Sequence, residues 1–184
     1  MDKITIDTYD KMAVEYDRET ANFWKRFPST FLEKFKAGVL KRGTILDVGS
    51  GPGRDAAILS AAGFSVICLD ASEAMLKITK EKGFESIRAD FLELPFDKET
   101  FDGIWAYTSL LHVSKIKIPS ALSEIYRVLK KTGVFALGLI VGLIEGKTEE
   151  YRESSGVGMP RLFSFYEKPE IENLLGEAGF KVKY

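Results

Sequence analysis

The chain has 184 residues, 45% hydrophobic and 29% charged, enough for one sizeable core and short of a multi-domain length. A net charge of −1 leaves no basic field to hold it on nucleic acid or an anionic membrane, and its longest apolar run, Val134 to Ile144, is broken by Gly138 and Gly142 and falls short of the ~20 residues of a membrane span. The single cysteine, Cys68, can form no internal disulfide and the first ten residues hold no signal-peptide core, so a reducing, cytoplasmic setting is expected.

The first forty residues lack a regular alternation of element types, but Phe31, Leu32, Phe35 and Val39 recur at helical spacing, and a second helix is expected over Tyr9 to Arg18. Thr44 to Val48 is short, apolar and β-branched, the pattern of a strand buried on both faces. It runs into Gly49, Gly51 and Gly53, which can take positive φ and let a ligand meet the main chain without a Cβ in the way. A helix expected from Arg54 to Ala62 aims its free N–H groups at whatever sits over those glycines. A pyrophosphate-binding dinucleotide turn requires glycine at position 54, which is Arg54.

The next strand, Phe64 to Leu69, closes on Asp70, where a carboxylate can take both hydroxyls of a ribose. Ser72 can cap a helix that runs to about Lys82, with Gly83 as its stop. A third strand, Phe84 to Ala89, ends in Asp90 and Phe91, a carboxylate and an aromatic suited to an adenine amine and ring face. Pro119 to Lys131 reads as a helix whose Leu122, Ile125, Tyr126 and Leu129 are core, and Val134 to Ile140 as the fifth strand. Glu145 to Pro160 is polar and long, either a mobile flap or a disordered loop. Pro169 to Ala178 is a short helix stopped by Gly179, and Phe180 to Tyr184 alternates like a sixth strand. The alternation implies an α/β fold, a doubly wound and mostly parallel sheet covered by helices on both faces.

Four segments in order, D-V-G-S-G-P-G at Asp47 to Gly53, L-D-A-S at Leu69 to Ser72, A-D-F at Ala89 to Phe91 and F-D-G-I-W-A at Phe101 to Ala106, resemble the motifs of class I S-adenosylmethionine (SAM)-dependent methyltransferases. The resemblance is to the type 11 branch of mostly small-molecule enzymes and covers nearly the whole chain. It implies a Rossmann-like fold in one domain, with residues 1–42 as a helical lid over a SAM-binding core at 43–184. Y-D-x-x-A-x-x-Y-D at Tyr9 to Asp17 looks like the family's entry motif, which turns Tyr9 and Tyr16 toward the methyl-transfer pocket, while Trp24 is expected in lid packing.

The resemblance further implies that Gly49, Ser50 and Gly51 hold the methionine part of SAM, and that Asp47 reaches its ammonium or else only caps the turn. Asp70, with Ala71 and Met75 beside it, takes the ribose; Asp90 and Phe91 take the adenine; Tyr107 follows the fourth strand, where cofactor sulfur and substrate meet. His112, the only histidine, is a weak candidate general base in that loop, against a role in ordering it, and Arg54 either fixes a substrate carboxylate or simply opens its helix. No metal is implied, and no nucleic-acid or membrane partner. The partner expected is a small molecule; the alternatives are a catalytically inactive SAM-binding sensor or accessory subunit and, disfavoured by Arg54, a nicotinamide dehydrogenase.

Family members end in an antiparallel sixth and seventh strand pair. Here either the last strand is missing or the sheet is closed in another way. An exposed edge at Val134 to Ile140 would then drive homodimer formation or aggregation, or be covered by Phe180 to Tyr184 or by the segment around Phe163 and Phe165.

Overall fold

The computed structural model describes residues 2–142, 146–153 and 159–183. The chain opens with three helices, α1 (Lys3–Thr20), α2 (Phe23–Arg26) and α3 (Thr30–Gly38). Alternating elements follow: β1 (Thr44–Val48), α4 (Arg54–Ala61), β2 (Ser65–Asp70), α5 (Glu73–Glu81), β3 (Glu85–Arg88) and β4 (Phe101–Tyr107). A single 3₁₀ turn (Leu110–His112) leads to α6 (Ile118–Val128) and β5 (Leu129–Gly138), then β6 (Glu149–Glu153), β7 (Pro160–Ser164) and α7 (Lys168–Glu177).

A five-stranded sheet in the order β3-β2-β1-β4-β5 pairs in parallel throughout. The pleat sends alternate residues of the central strands into two cores. Leu46 and Val48 of β1 and Ile104 and Ala106 of β4 join Leu122 and Ile125 of α6 on one face, while Ile45 and Trp105 join Leu32 and Phe35 of α3, and Val39 just after it, on the other. Both faces being covered, the strands read as continuous apolar runs, which is why they were legible. The chain reverses its winding between β1 and β4, and the crevice beyond their carboxyl ends is where open α/β sheets bind ligands.

Local chemistry sets the helix starts. The Asp2 carboxylate accepts the Thr5 N–H at 2.8 Å to cap α1, and Ser72 accepts the Met75 N–H to cap α5. Pro119 stands in the first turn of α6, and Glu167 with Glu170 forms a capping box on α7.

Three expectations need correction. The helix over Pro119 to Lys131 ends at Val128 and passes directly into β5, which starts at Leu129 and takes up the extra residues in a register slip against Phe101 and Gly103. Within the stretch expected to be a flap or disordered loop, residues 149–153 form β6, antiparallel to β7, with Glu149 opposite Ser164 and Arg152 opposite Arg161; residues 145 and 154–158 lie outside the described residues. Phe180 to Lys183 is not a strand, and Tyr184 lies outside the described residues. Phe180 instead seats its ring 5.1 Å from both Tyr126 and Phe135, because a large apolar side chain gains more on that face than an edge strand would. Beyond β5 the sheet edge is met by Val141 bridging to Tyr166.

Gly103 lets α3 sit on the sheet: a Cβ there would lie 2.9 Å from Val39 Cγ2 and 3.0 Å from Phe35 Cζ. Gly103→Ala should therefore cost about 1–3 kcal/mol by overpacking, measurable as a lower midpoint in urea at unchanged slope.

Candidate functional site

The carboxyl ends of β1, β2 and β4 open into a cavity of about 50 Å³, roofed by α1. Its floor is the turn after β1. Gly49 takes φ 71°, and its N–H and that of Ser50 both donate to the Leu69 carbonyl at 2.7 and 3.0 Å, which draws the turn toward β2. A Cβ on Gly49 would lie 2.3 Å from Ser109 Cβ, so glycine is required twice over, by conformation and by space. Ser109 is fixed by its hydroxyl donating to the Val48 carbonyl at 2.6 Å. The residue before it, Thr108, sits at φ 60°, a strained conformation for a β-branched side chain on a cavity wall.

Three buried carboxylates surround this floor. Asp70 accepts the Gly51 N–H on one oxygen and the Ser72 N–H on the other, each at 2.9 Å; burial raises its pKa while those N–H groups draw it back. Asp55 accepts the indole N–H of Trp24 at 2.6 Å and of Trp105 at 2.9 Å, and Arg54 grips it with Nε at 2.7 Å and Nη2 at 2.9 Å. Arg54 also lies over the Phe23 ring at 4.3 Å. Asp47 takes the Ala56 N–H, and its Oδ2 has no hydrogen-bond partner. Burial first, then the neighbouring charge of Asp55, pushes the Asp47 carboxyl well above the usual range, against the pull of Arg54.

Helix α1 is tied down along its length. The Asp10 carboxylate receives the Ser72 hydroxyl at 2.6 Å and the Ala74 N–H at 3.1 Å, an anion at the start of α5. Lys82 joins Asp17 at 2.6 Å to the Pro52 carbonyl at 2.9 Å. On the other side Thr8 donates to the Pro160 carbonyl and Thr5 accepts the Leu162 N–H, which binds α1 to β7.

His112 stands between them. Its Nδ1 lies 2.5 Å from the Leu162 carbonyl, which can only accept, so Nδ1 carries the hydrogen. Burial lowers the imidazole pKa to about 4, so the ring is neutral near pH 7 and Nε2 accepts the Tyr9 hydroxyl at 2.8 Å. Arg161 donates from Nη1 to the same Tyr9 oxygen at 2.6 Å.

Of the residues singled out in the sequence, Tyr16, Asp47, Gly49, Ser50 and Gly51 line the cavity, as do Asp70, Met75, Phe91, Tyr107 and His112. Ala71 and Asp90 are not among the residues lining this cavity: Ala71 is buried with its carbonyl toward Arg88, and Asp90 accepts the Leu92 N–H at 3.1 Å. Trp24 packs as expected of it and also donates to Asp55. Arg54 lines the cavity with its charge already committed to Asp55. Asp10, Asp55 and Arg161 escaped the sequence reading. Asp10 lay inside the Y-D-x-x-A-x-x-Y-D segment and was within reach of it, whereas nothing local to Asp55 or Arg161 signals their distant partners.

A family model described as a methyltransferase domain matches residues 46–137. Sterol methyltransferase-like 3 of Botryococcus braunii is 31% identical over 75% of this chain and 38% of its own length. Demethylmenaquinone methyltransferase of Symbiobacterium thermophilum is 34% identical over 70% of this chain and 56% of its own. Among solved structures, the DhpI-SAM-HEP complex superposes with a TM-score of 0.79 at 20% identity, covering 96% of this chain and 88% of that one, a likeness of fold. The chain spans about two fifths of the length of the sterol methyltransferases it matches.

The buried imidazole has a stability signature. Its pKa is lower folded, about 4, than unfolded, ordinarily near 6.5, so its contribution is present above pH 6.5 and lost as pH falls toward 4. Unfolding free energy measured in urea should fall over that window by on the order of 3 kcal/mol more in the native chain than in His112→Gln. Equal slopes would place the ring in a solvated setting.

Proposed function

The chain belongs to the methyltransferase-domain family, and we propose that it transfers a methyl group from SAM to a small-molecule acceptor. The observation that carries this reading is the buried Asp47 oxygen without a partner, set among Asp55 and Asp70 with one guanidinium to offset three carboxyl groups. Such a floor favours a ligand that brings positive charge and N–H donors. SAM, when bound, supplies a methyl group activated by a sulfonium and an ammonium of matching sign.

The donor set fits. Asp47 would hold the ammonium, Asp70 the ribose hydroxyls, and the ring of Phe91 the adenine face. Met75 and the backbone of Gly49 to Gly51 complete the wall. Residues 1–42 act as a lid: α1 carries Tyr9 and Tyr16 onto the cavity wall and is held there through Asp10, Asp17, Thr5 and Thr8. Closed, the lid excludes water, and alignment of acceptor and methyl carbon supplies roughly 7–11 kcal/mol of the barrier. The relatives named for sterol and demethylmenaquinone methylation, together with the near-zero net charge, support a small acceptor over a nucleic acid. The lone buried Cys68, its thiol pKa raised by burial, suits a reducing cytoplasm.

Calorimetry tests the reading. SAM and S-adenosylhomocysteine should bind and NAD should not, and Asp70→Ala should weaken SAM by about 1.5–3 kcal/mol. The reverse cofactor preference would sink the assignment; binding without transfer to any small molecule of a cell extract would point to a sensor or accessory subunit. Because Asp47 must ionise to meet an ammonium, affinity should rise with pH across its raised titration range, with release of a proton, and Asp47→Asn should flatten that dependence.

A further inference from the structure

His112 offers the cavity no free nitrogen. Its Nδ1–H is held by the Leu162 carbonyl and its Nε2 is covered by the Tyr9 hydroxyl. A molecule in the cavity reaches the imidazole only through Tyr9. The Tyr9 oxygen donates its one proton to Nε2 and accepts an N–H from Arg161, which leaves one lone pair to receive a further hydrogen bond. Helix α1 contributes Tyr9 to this junction, the 3₁₀ turn His112, and β7 both Arg161 and Leu162, so it exists only with α1 seated.

Resting on the methyl transfer proposed above, we infer that the acceptor carries a hydroxyl group and that Tyr9 is the catalytic residue touching it, relaying its proton to His112. The acceptor oxygen forms a bond to the methyl carbon as the carbon–sulfur pair leaves with sulfur. The hydroxyl proton moves to the Tyr9 oxygen while the Tyr9 proton moves to His112 Nε2. Tyr9 ends as a phenol and His112 as an imidazolium, its Nδ1–H still on Leu162. One positive charge enters with the methyl donor and one remains on the imidazole, so charge balances.

The chemistry of the base selects the acceptor. An imidazole whose conjugate acid has a pKa of about 4 is too weak to ionise a resting alcohol, but it takes the proton of an oxygen made acidic by the forming bond to carbon. It would not deprotonate a methylated ammonium, which holds its proton more tightly. Burial sets its basicity first; the hydrogen bond to the Leu162 carbonyl raises it, the charge of Arg161 on β7 lowers it, and Asp2 at the head of α1 raises it, with the protonated phenol of Tyr9 facing Nε2. Burial keeps the phenols of Tyr9 and Tyr16 protonated, so Tyr9 acts as a carrier and not as a standing phenolate. Arg161 acts through Tyr9 and is a positioning residue.

The test uses the full chain, SAM labelled with tritium in its methyl group, and the deproteinised small-molecule fraction of a cell extract as acceptor. S-adenosylhomocysteine affinity is measured beside it by calorimetry. Tyr9→Phe should keep that affinity within about threefold and lose transfer by roughly 100-fold or more at saturating SAM. His112→Gln, which keeps an acceptor for the Tyr9 hydroxyl but no proton affinity, should lose transfer similarly, and with it the solvent deuterium isotope effect of the native chain. Labelled products should be methyl ethers. Native-like transfer by either variant would overturn the relay, His112→Gln deciding if Tyr9→Phe does not fold. Label on carbon or nitrogen would overturn the hydroxyl acceptor while leaving methyl transfer standing. Binding of S-adenosylhomocysteine with no transfer by the native chain would remove the premise and the inference with it.

Discussion

Charge imbalance among carboxyl groups buried beneath α1 governs this structure. Asp47, Asp55 and Asp70 are buried around the turn after β1, and Arg54 is the cation pressed among them. Burying carboxylates is costly unless each is paired or hydrogen-bonded, and the fold solves the problem differently for each. Asp55 is saturated by a guanidinium and two indoles, Asp70 by backbone N–H groups, and Asp47 is left to respond by holding its proton. The carboxyl oxygen left without a hydrogen-bond partner is Asp47 Oδ2, on the group whose pKa is pushed well above its ordinary range.

One of these carboxylates, Asp55, also ties the helical entry segment to the sheet. Trp24 reaches Asp55 from α2, and Asp10 reaches the start of α5 two residues beyond Asp70. At the far side, α1 holds β7 through Thr5, Thr8 and the junction of Tyr9 with Arg161. These are polar contacts at the margin of a cavity, worth about 0.5–1.5 kcal/mol each and more where charged. They contrast with the apolar seat of α3 on Trp105 and Ile45, which belongs to the core.

Much of the fold was legible because its central parallel strands are buried on both faces: Thr44 to Val48 shows it in a short apolar, β-branched run, while Phe101 to Tyr107 was placed through the family resemblance. The turn glycines, the Ser72 cap and Asp70 were legible for a related reason: their chemistry is local, set by backbone conformation and by neighbours within a few residues. Legibility failed where stabilisation is remote. The β6 segment, E-E-Y-R-E, has the composition of a loop and becomes a strand through its pairing with β7. Phe180 has the alternation of a strand and is claimed by Tyr126 and Phe135 instead. His112 was visible as a lone imidazole, but the partners that define its hydrogen, Leu162 and Tyr9, are 50 and 103 residues away.

Asp55 is a carboxylate with three side-chain clients, one in the entry segment, one in the middle of the sheet and one on its own helix. Sharing a single anion makes Trp24, Arg54 and Trp105 an epistatic unit. Replacing Trp24 leaves Asp55 to the other two, so the effect of a later change at Trp105 depends on whether Trp24 has already gone, and single-site effects will not sum. A change in the entry segment is therefore felt at the centre of the sheet, through what Trp105 and Arg54 still require of the same carboxylate.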